Sequence, residues 1–317
     1  MITHLQNSVL TLLFLLSTGS INAQTTFIVD GLSYTVTEDT NVSVSKDATN
    51  LPTGPLTIPA TVTNSGIEYT VNAIKDSGFY DCTGLTSVSI PNSVTSIGKE
   101  AFYDCTKLMS ISIPETVMSI GEGAFSYCTG IKSIDIPKNL TSIEYNVFYN
   151  CTSLTSIDIP NSVKLIAQTA FYGCSDVTSI NIPESVTSIG DGAFGYSISL
   201  ETVTVAWTSS IPSISVSVFG ASGGYETINL IVPVGTVDTY NAAPVWSGFN
   251  ITGTLYTNKN DLNTFVKNIF SRTGAMHVLA VSGLHVGIIF LIVNSIISLL
   301  KIPFRYDWLG HFFILLI

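Results

Sequence analysis

Residues 85–107 read LTSVSIPNSVTSIGKEAFYDCTK and residues 108–130 read LMSISIPETVMSIGEGAFSYCTG, so one pattern returns after 23 residues. Three residue types keep this spacing over a long part of the chain. The columns are Phe79, Phe102, Phe125, Phe148, Phe171 and Phe194; Cys82, Cys105, Cys128, Cys151 and Cys174; and Pro91, Pro114, Pro137, Pro160 and Pro183. A fixed period of this length is typical of a stacked-repeat solenoid. Solenoids commonly bind through an extended face, so the period also bears on function.

Each repeat predicts a short strand followed by a packed turn. Leu85, Val88 and Ile90 follow the pattern L-x-x-L-x-L, in which the apolar side chains point inward. Pro91 ends the strand because it has no N–H to donate. Burying about six apolar side chains at roughly 2 kcal/mol each gives less than the cost of ordering the backbone of the repeat. A single repeat therefore needs stacked neighbours to fold.

The stretch IPNSVTSIGKEAF at residues 90–102, with Cys105 and Leu108, resembles the BspA-like leucine-rich repeats of bacterial surface proteins. About six such repeats run from residue 76 to 205, and the resemblance extends over about residues 27–252. It implies a mainly β leucine-rich repeat solenoid on the cell surface.

Atypical end units are expected at residues 24–75 and 206–253, because the open ends of a solenoid core need shielding. In the first, the turn Asn64–Gly66 predicts a β-hairpin. The predicted parts of the second are a strand at Glu226–Pro233, a short helix at Val237–Ala243, and an aromatic plug of Trp246 and Phe249.

Residues 1–23 predict a signal peptide cleaved after Ala23. They carry no formal charge and contain a short apolar run, Val9–Leu16, followed by small residues. This run of eight residues is too short to span a bilayer. The alternative is an ordinary buried segment. Export would place the repeats at the cell surface or anchor them to a membrane.

The charge of the chain changes sign near residues 254–265. Residues 24–253 hold seven lysines and twenty acidic residues, a net charge of −13, whereas residues 254–317 have a net charge of +3. No histidine lies between His4 and His277, so the repeats lack the side chain most used in acid–base catalysis near neutral pH. We therefore expect a non-enzymatic protein without a cofactor or metal, and an acidic surface that disfavours DNA phosphates.

The five cysteines occupy one repeat column, which argues against catalysis or metal binding by them. Adjacent rungs lie ~4.8 Å apart, within the Cα range of a disulfide, yet stacked side chains point in parallel and their number is odd. The two interpretations are a column of buried free thiols and a set of bridges that would twist the coil.

Two further columns are candidate binding features. A stripe of tyrosines follows the phenylalanine column directly and comprises Tyr80, Tyr103, Tyr149 and Tyr172. The stripe predicts either a contact surface for a protein or glycan ligand or simple packing of neighbouring rings. On the strand, Asp135 and Asp158 stand one rung apart, which fits either a weak calcium contact or solvated charge.

Residues 265–317 predict a membrane segment, joined to the repeats by a linker at 254–264. Met276–Leu300 contains no Lys, Arg, Asp or Glu over 25 residues, enough for a transmembrane helix, and a second apolar run begins at Trp308. Polar and small residues in the span predict contact with partner helices. They are His277, Ser282 and His285, with Gly283 and Gly287 in a GxxxG spacing.

The stretch FSRTGAMHVLAVSGLHVG at residues 270–287 is similar to the signature of ComEC-type competence proteins, the inner-membrane channels for DNA uptake. The resemblance implies passage of single-stranded DNA and maps onto His277, Ser282, Gly283 and His285. The family's other spans are missing, so we interpret residues 265–317 as a truncated segment. A leader, an acidic solenoid and a channel fragment suggest the fusion of two genes or of two sequence fragments.

Two functions follow as expectations. The first is a cell-surface protein that binds a protein or glycan on a host, matrix or neighbouring cell and is tethered to the membrane by its C-terminal segment. The alternative is a membrane component for DNA uptake, carried by that segment alone.

Overall fold

The 23-residue period of the sequence equals the register with which neighbouring strands pair in the folded chain. The computed structural model describes residues 25–220 and 224–255. Within them, parallel strands pair residues that are 23 apart, such as Ser87 with Ser110 and Ser179 with Thr202. Each coil therefore lies beside the next in the same orientation, which confirms the leucine-rich repeat solenoid.

The regular elements are short, as the frequent turns predict. In chain order the strands are β1 (Thr26–Val29), β2 (Leu32–Glu38), β3 (Asn41–Lys46), β4 (Gly54–Thr57), β5 (Thr61–Asn64), β6 (Ile67–Ile74), β7 (Leu85–Ser89), β8 (Ser96–Ile97), β9 (Ser110–Ser112), β10 (Ser119–Ile120), β11 (Ser142–Ile143), β12 (Ser156–Asp158), β13 (Leu165–Ile166), β14 (Ser179–Ile182), β15 (Ser188–Ile189), β16 (Thr202–Val205), β17 (Asn229–Pro233) and β18 (Asn250–Leu255). The helices are two 3₁₀ turns, η1 (Tyr225–Thr227) and η2 (Trp246–Gly248), and the α-helix α1 (Val237–Ala242).

Two rows of strands run along the solenoid. The first row contains the sheets β4-β7-β9 and β12-β14-β16-β17-β18, and the second contains β11-β13-β15 and the larger sheet β1-β2-β3-β6-β8-β10, with β5 on β6. Residues 131–136 form no strand, so the first row is interrupted there, contrary to the regular column expected at Asp135. A hydrogen bond from the Thr155 N–H to the Lys132 carbonyl oxygen (3.2 Å) still joins the coils at this point.

The core is a stack of phenylalanine rings. Successive ring centroids lie 5.1–5.6 Å apart, and the planes of neighbouring rings differ by 3–18°. Every ring is at most 1% exposed. The stack contains the six predicted rings and a seventh, Phe219, which the constant spacing did not reveal because it follows Phe194 by 25 residues. Aromatic stacking of this kind adds to the free energy of burial.

The turn around each phenylalanine is held by backbone hydrogen bonds to the next coil. The Phe102 N–H donates to the Ala124 carbonyl oxygen (2.7 Å), and the Asp104 N–H donates to that of Ser126 (2.8 Å). Equivalent bonds recur along the column, for example from Tyr127 N–H to Tyr149 O (2.7 Å). The backbone donors of the turn are thereby satisfied, as buried amides require.

Both ends of the solenoid differ from the repeats. β5 and β6 form the expected hairpin across Ser65 and Gly66, which have positive φ angles of 52° and 80°. At the other end the predicted helix is present as α1, but β17 begins at Asn229 and not at Glu226. The preceding residues form η1 instead.

Three aromatic side chains close the C-terminal end with buried hydrogen bonds. The indole N–H of Trp246 donates to the Pro212 carbonyl oxygen (2.9 Å), and that of Trp207 donates to Val186 O (2.7 Å). The Tyr240 hydroxyl donates to Trp207 O (3.1 Å). The buried N–H and O–H groups of these three side chains are therefore hydrogen-bonded, and their rings cover the end of the core.

The cysteine column consists of buried free thiols, so the interpretation as disulfide bridges is wrong. Four of the thiols reach back to the carbonyl oxygen of a phenylalanine in the preceding coil. The pairs are Cys105 Sγ to Phe79 O (3.2 Å), Cys128 to Phe102 (3.0 Å), Cys151 to Phe125 (3.2 Å) and Cys174 to Phe148 (3.3 Å). The thiols act as small hydrophobes with a weak donor.

Ser197 stands in this column where the next cysteine would be, and its buried hydroxyl has no hydrogen-bond partner. We expect Ser197→Cys to raise the free energy of unfolding by about 1–2 kcal/mol, because an unpaired buried hydroxyl is replaced by a thiol placed like that of Cys174. Urea unfolding of the two proteins measures the difference. Ser197→Thr, which keeps a hydroxyl, is the control; a gain as large as that of the cysteine variant would contradict the explanation.

The membrane predictions concern residues beyond this region. Across 25–220 and 224–255, no helix is long and apolar enough to cross a membrane. The predicted span, with His277, Ser282, Gly283, His285 and Gly287, lies outside the described residues, as does the predicted signal peptide.

Candidate binding surface

Six tyrosine side chains form a continuous row on the outer side of the phenylalanine turns. We call this row the tyrosine ladder. Its members are Tyr80, Tyr103, Tyr127, Tyr149, Tyr172 and Tyr196, and successive ring centroids lie 4.9–5.5 Å apart. Four of them were predicted from the position that follows phenylalanine. In the structure these four form two stacked pairs, Tyr80–Tyr103 and Tyr149–Tyr172, and the two further tyrosines complete the row.

Tyr127 and Tyr196 escaped the sequence pattern because they follow phenylalanine by two residues. A small residue, Ser126 or Gly195, takes the position directly after phenylalanine in these coils. A Cβ atom on Gly195 would lie 3.0 Å from Cδ2 of Tyr172, so the glycine makes room for the preceding ring. A small residue followed by tyrosine was the signal that could have revealed them.

The two added tyrosines have backbone angles that are unusual for their type. Tyr127 has φ 60° and Tyr196 has φ 58°, in the left-handed region. Asp, Asn or Gly takes this position in the other coils, namely Asp81, Asp104, Asn150 and Gly173. Those residue types tolerate the conformation, whereas a bulky side chain there costs roughly 1–2 kcal/mol.

The rings have two different orientations. Tyr80 and Tyr103 are nearly parallel, with an interplanar angle of 2°, and Tyr149 and Tyr172 differ by 5°. Tyr127 is inclined by 55° and 53° to its two neighbours. Tyr196 is inclined by 44° to Tyr172 and is 51% exposed. In a stacked pair each ring covers one face of the other, whereas Tyr127 and Tyr196 are not stacked face to face on their neighbours.

Three of the ladder hydroxyls, those of Tyr103, Tyr149 and Tyr172, remain protonated near neutral pH. Burial raises the pKa of Tyr103, of Tyr149 and of Tyr172, and neighbouring tyrosines raise each of them further. These three hydroxyls are therefore neutral groups that both donate and accept hydrogen bonds.

A lysine already lies against the first ring. The Lys46 ammonium donates a hydrogen bond to the Tyr80 carbonyl oxygen, and its Nζ lies 5.9 Å from the centroid of the Tyr80 ring. This is a cation–π distance. The chain thus provides its own example of a cation held on the ladder.

Negative charge is concentrated on the turns that carry the ladder. These turns, residues 76–81, 99–104, 122–127, 145–150, 168–173 and 191–196, contain six acidic residues and one lysine. The acidic residues are Asp76, Asp81, Glu100, Asp104, Glu122 and Asp191. The lysine, Lys99, pairs with Glu122 at 3.0 Å. Of the remaining carboxylates, Asp76 accepts a hydrogen bond from the Lys99 N–H (2.7 Å) and Asp191 accepts one from the Ser217 hydroxyl (3.0 Å).

The strand face is less charged. We use this name for the exposed side chains of residues 85–90, 108–113, 131–136, 154–159, 177–182 and 200–205, which hold three acidic residues and one lysine. Asp158 accepts a hydrogen bond from the Asn181 amide (2.5 Å), and Asp135 lies in the segment without a strand. Within the described parts of the chain, no group of three or more His, Cys, Asp or Glu side chains is placed to hold a metal ion.

The family model for the BspA type leucine-rich repeat region matches residues 60–177, 95–226 and 165–277, which together span more than half of the sequence. The chain belongs to the BspA type leucine-rich repeat family. A family model for competence proteins matches residues 255–317. No curated protein matches the chain.

Solved leucine-rich repeat structures are similar to this BspA type chain. A leucine-rich repeat protein of T. pallidum is 27% identical over 56% of this chain and 91% of its own, with a TM-score of 0.46. A leucine-rich cell surface protein of Faecalibacterium prausnitzii is 19% identical over 76% and 97%, with a TM-score of 0.41. A leucine-rich repeat protein of Bacteroides ovatus is 19% identical over 73% and 76%, with a TM-score of 0.34.

Proposed function

We propose that this chain is a non-enzymatic cell-surface protein that binds a protein or glycan on a host, matrix or neighbouring cell. The observation that carries the proposal is the unbroken phenylalanine stack, which holds successive coils in one register and so presents two long outer faces. Residues 265–317 tether the protein to the membrane. The membership of the BspA type family supports the binding role.

The binding role is tested with the full chain displayed on a bacterial host that does not otherwise adhere. We expect saturable adhesion to cultured cells or to immobilised extracellular-matrix proteins. Heating the displayed protein through its unfolding transition should abolish adhesion, because the outer faces exist only while the coils are stacked. Absence of saturable adhesion to every surface tested would contradict the proposal.

A second candidate is a competence-type membrane component for DNA uptake. The match of the competence family model to residues 255–317 favours it, together with His277, Ser282, Gly283 and His285 in the similar stretch. Deletion of residues 265–317 in a naturally competent host separates the two. Lost transformation supports the uptake role, whereas unchanged transformation with release of the protein from the membrane fraction supports a tether.

A further inference from the structure

We propose that the tyrosine ladder is the docking surface for an extended lysine- or arginine-rich segment of a partner protein. The inference rests on the proposed binding function and specifies which face binds and what chemistry the partner presents. Three independent features of the ladder support it: its charge, the orientation of its rings, and the cation already bound at one end.

Charge distinguishes the ladder from the strand face. The ladder turns have a net charge of −5, compared with −2 for the corresponding strand segments. Asp76, Asp81 and Asp191 are exposed, and Glu100 and Asp104 are partly exposed, so their carboxylates can be reached from solvent. A partner with positive charge is attracted to this face, and a nucleic acid or other polyanion is repelled from it.

Ring orientation selects the type of contact. In the stacked pairs Tyr80–Tyr103 and Tyr149–Tyr172 each ring covers one face of the other, which leaves less aromatic face for a sugar to pack against. The rings of Tyr127 and Tyr196 are inclined to their neighbours by 44–55° and are not stacked face to face on them. Inclined rings on an acidic face suit an ammonium or guanidinium group, which is attracted both to an aromatic ring and to the carboxylates.

The spacing of the two inclined rings fits an extended peptide. Tyr127 and Tyr196 are three rungs apart, which corresponds to about 14 Å at ~4.8 Å per rung. An extended chain advances ~3.4 Å per residue, so side chains four residues apart are separated by nearly the same distance. A segment with basic residues at every fourth position can therefore place one cation on each ring.

Lys46 shows that the ladder accepts a cation in this way. Its ammonium group lies over the first ring and is anchored to the same turn through the Tyr80 carbonyl oxygen. Tyr127 and Tyr196 hold their rings from a left-handed backbone position at which aspartate, asparagine or glycine stands in the other coils.

The test is the affinity of the full chain for a fluorescent peptide that carries lysine at every fourth residue. A peptide with glutamate at the same positions is the probe control. We expect binding of the lysine peptide alone, and a roughly tenfold weaker affinity for the double variant Tyr127→Asn and Tyr196→Asn, because two exposed cation–π contacts are lost. Asparagine suits the left-handed backbone, so the variant keeps the fold.

Matched variants separate the two faces. Glu100→Gln with Asp104→Asn on the ladder should weaken peptide binding several-fold, and Asp135→Asn with Glu201→Gln on the strand face should leave it unchanged. Equal binding of the glutamate peptide, equal loss from the strand-face variant, or displacement of the lysine peptide by a neutral oligosaccharide would overturn the inference.

These experiments separate a failure of the ladder inference from a failure of the proposed binding function. If the full chain adheres to cells or matrix and none of the ladder variants changes either adhesion or peptide binding, the inference is wrong and the binding role stands. If the chain adheres to no surface, the binding role is wrong, and the peptide affinities still decide whether the ladder holds a cationic segment.

Discussion

Replacing Phe125 by alanine is expected to lower the free energy of unfolding by about 3–5 kcal/mol. The ring is fully buried and lies between Phe102, at a centroid distance of 5.5 Å, and Phe148, at 5.6 Å. Its removal leaves a cavity in two coil interfaces at once, and stability in a solenoid comes from such interfaces. Urea unfolding followed by far-ultraviolet circular dichroism measures the loss.

Met118→Ala is the matched control for this substitution. Met118 also lies in a central coil, but its side chain is 68% exposed, so we expect a change within about 0.5 kcal/mol. Phe125→Leu should fall between the two, because it keeps most of the buried volume. Similar losses from Phe125→Ala and Met118→Ala would mean that the ring stack does not hold the coils together.

The architecture could be predicted because the sequence period equals the sheet register. A residue and its counterpart 23 positions later must face the same way, so the apolar columns identify the core directly. This argument located the buried phenylalanines and cysteines. It could not locate Phe219, since the coil that contains it is longer than the others and shifts the column by two residues.

The same reasoning could not predict where single coils depart from the regular strand pattern. Residues 131–136 keep the apolar pattern of a strand, yet they form none in the structure. The residues before β17 were predicted as strand but close a 3₁₀ turn, η1. Both differences depend on hydrogen-bond geometry between coils, which a pattern of side-chain polarity does not encode.

The candidate site was predictable in part for a related reason. A tyrosine column was visible wherever the residue directly followed phenylalanine, but Tyr127 and Tyr196 join the row from the next position through a left-handed backbone. Their inclination to the neighbouring rings is a property of side-chain placement and not of sequence order. The column argument therefore found four rings of the row and missed the two inclined ones.

On each coil, the residues that point into the core and the residues that point outward differ in how far they vary from repeat to repeat. Inward columns are chemically uniform, because every coil fills the same space with phenylalanine, cysteine and aliphatic side chains. Outward columns are free to vary, and the carboxylates have accumulated on the ladder turns more than on the strand face. A solenoid core thus fixes the spacing of surface groups while leaving their chemistry open, which is what an extended binding face requires.

Alkaline pH is expected to destabilise the fold steeply because four of the five cysteine thiols are buried in their neutral form. Burial raises the pKa of Cys82 and of Cys151 to about 12, and it raises the pKa of Cys128 and of Cys174 well above the usual range. In the unfolded chain a thiol ionises near pH 8.5. Between these values the folded state binds more protons, so stability is full below about pH 8.5 and falls as the pH rises toward 12.

The expected slope is about 1.4 kcal/mol per pH unit for each such thiol, or roughly 2 kcal/mol per thiol between pH 7 and pH 10. Urea unfolding at pH 7, 8, 9 and 10 measures it. Cys151→Ala should start slightly less stable at pH 7, because it loses the contact with the Phe125 carbonyl oxygen, yet its stability should fall less by pH 10. If the two proteins lose stability in parallel, ionisation of the buried thiol does not contribute to alkaline unfolding.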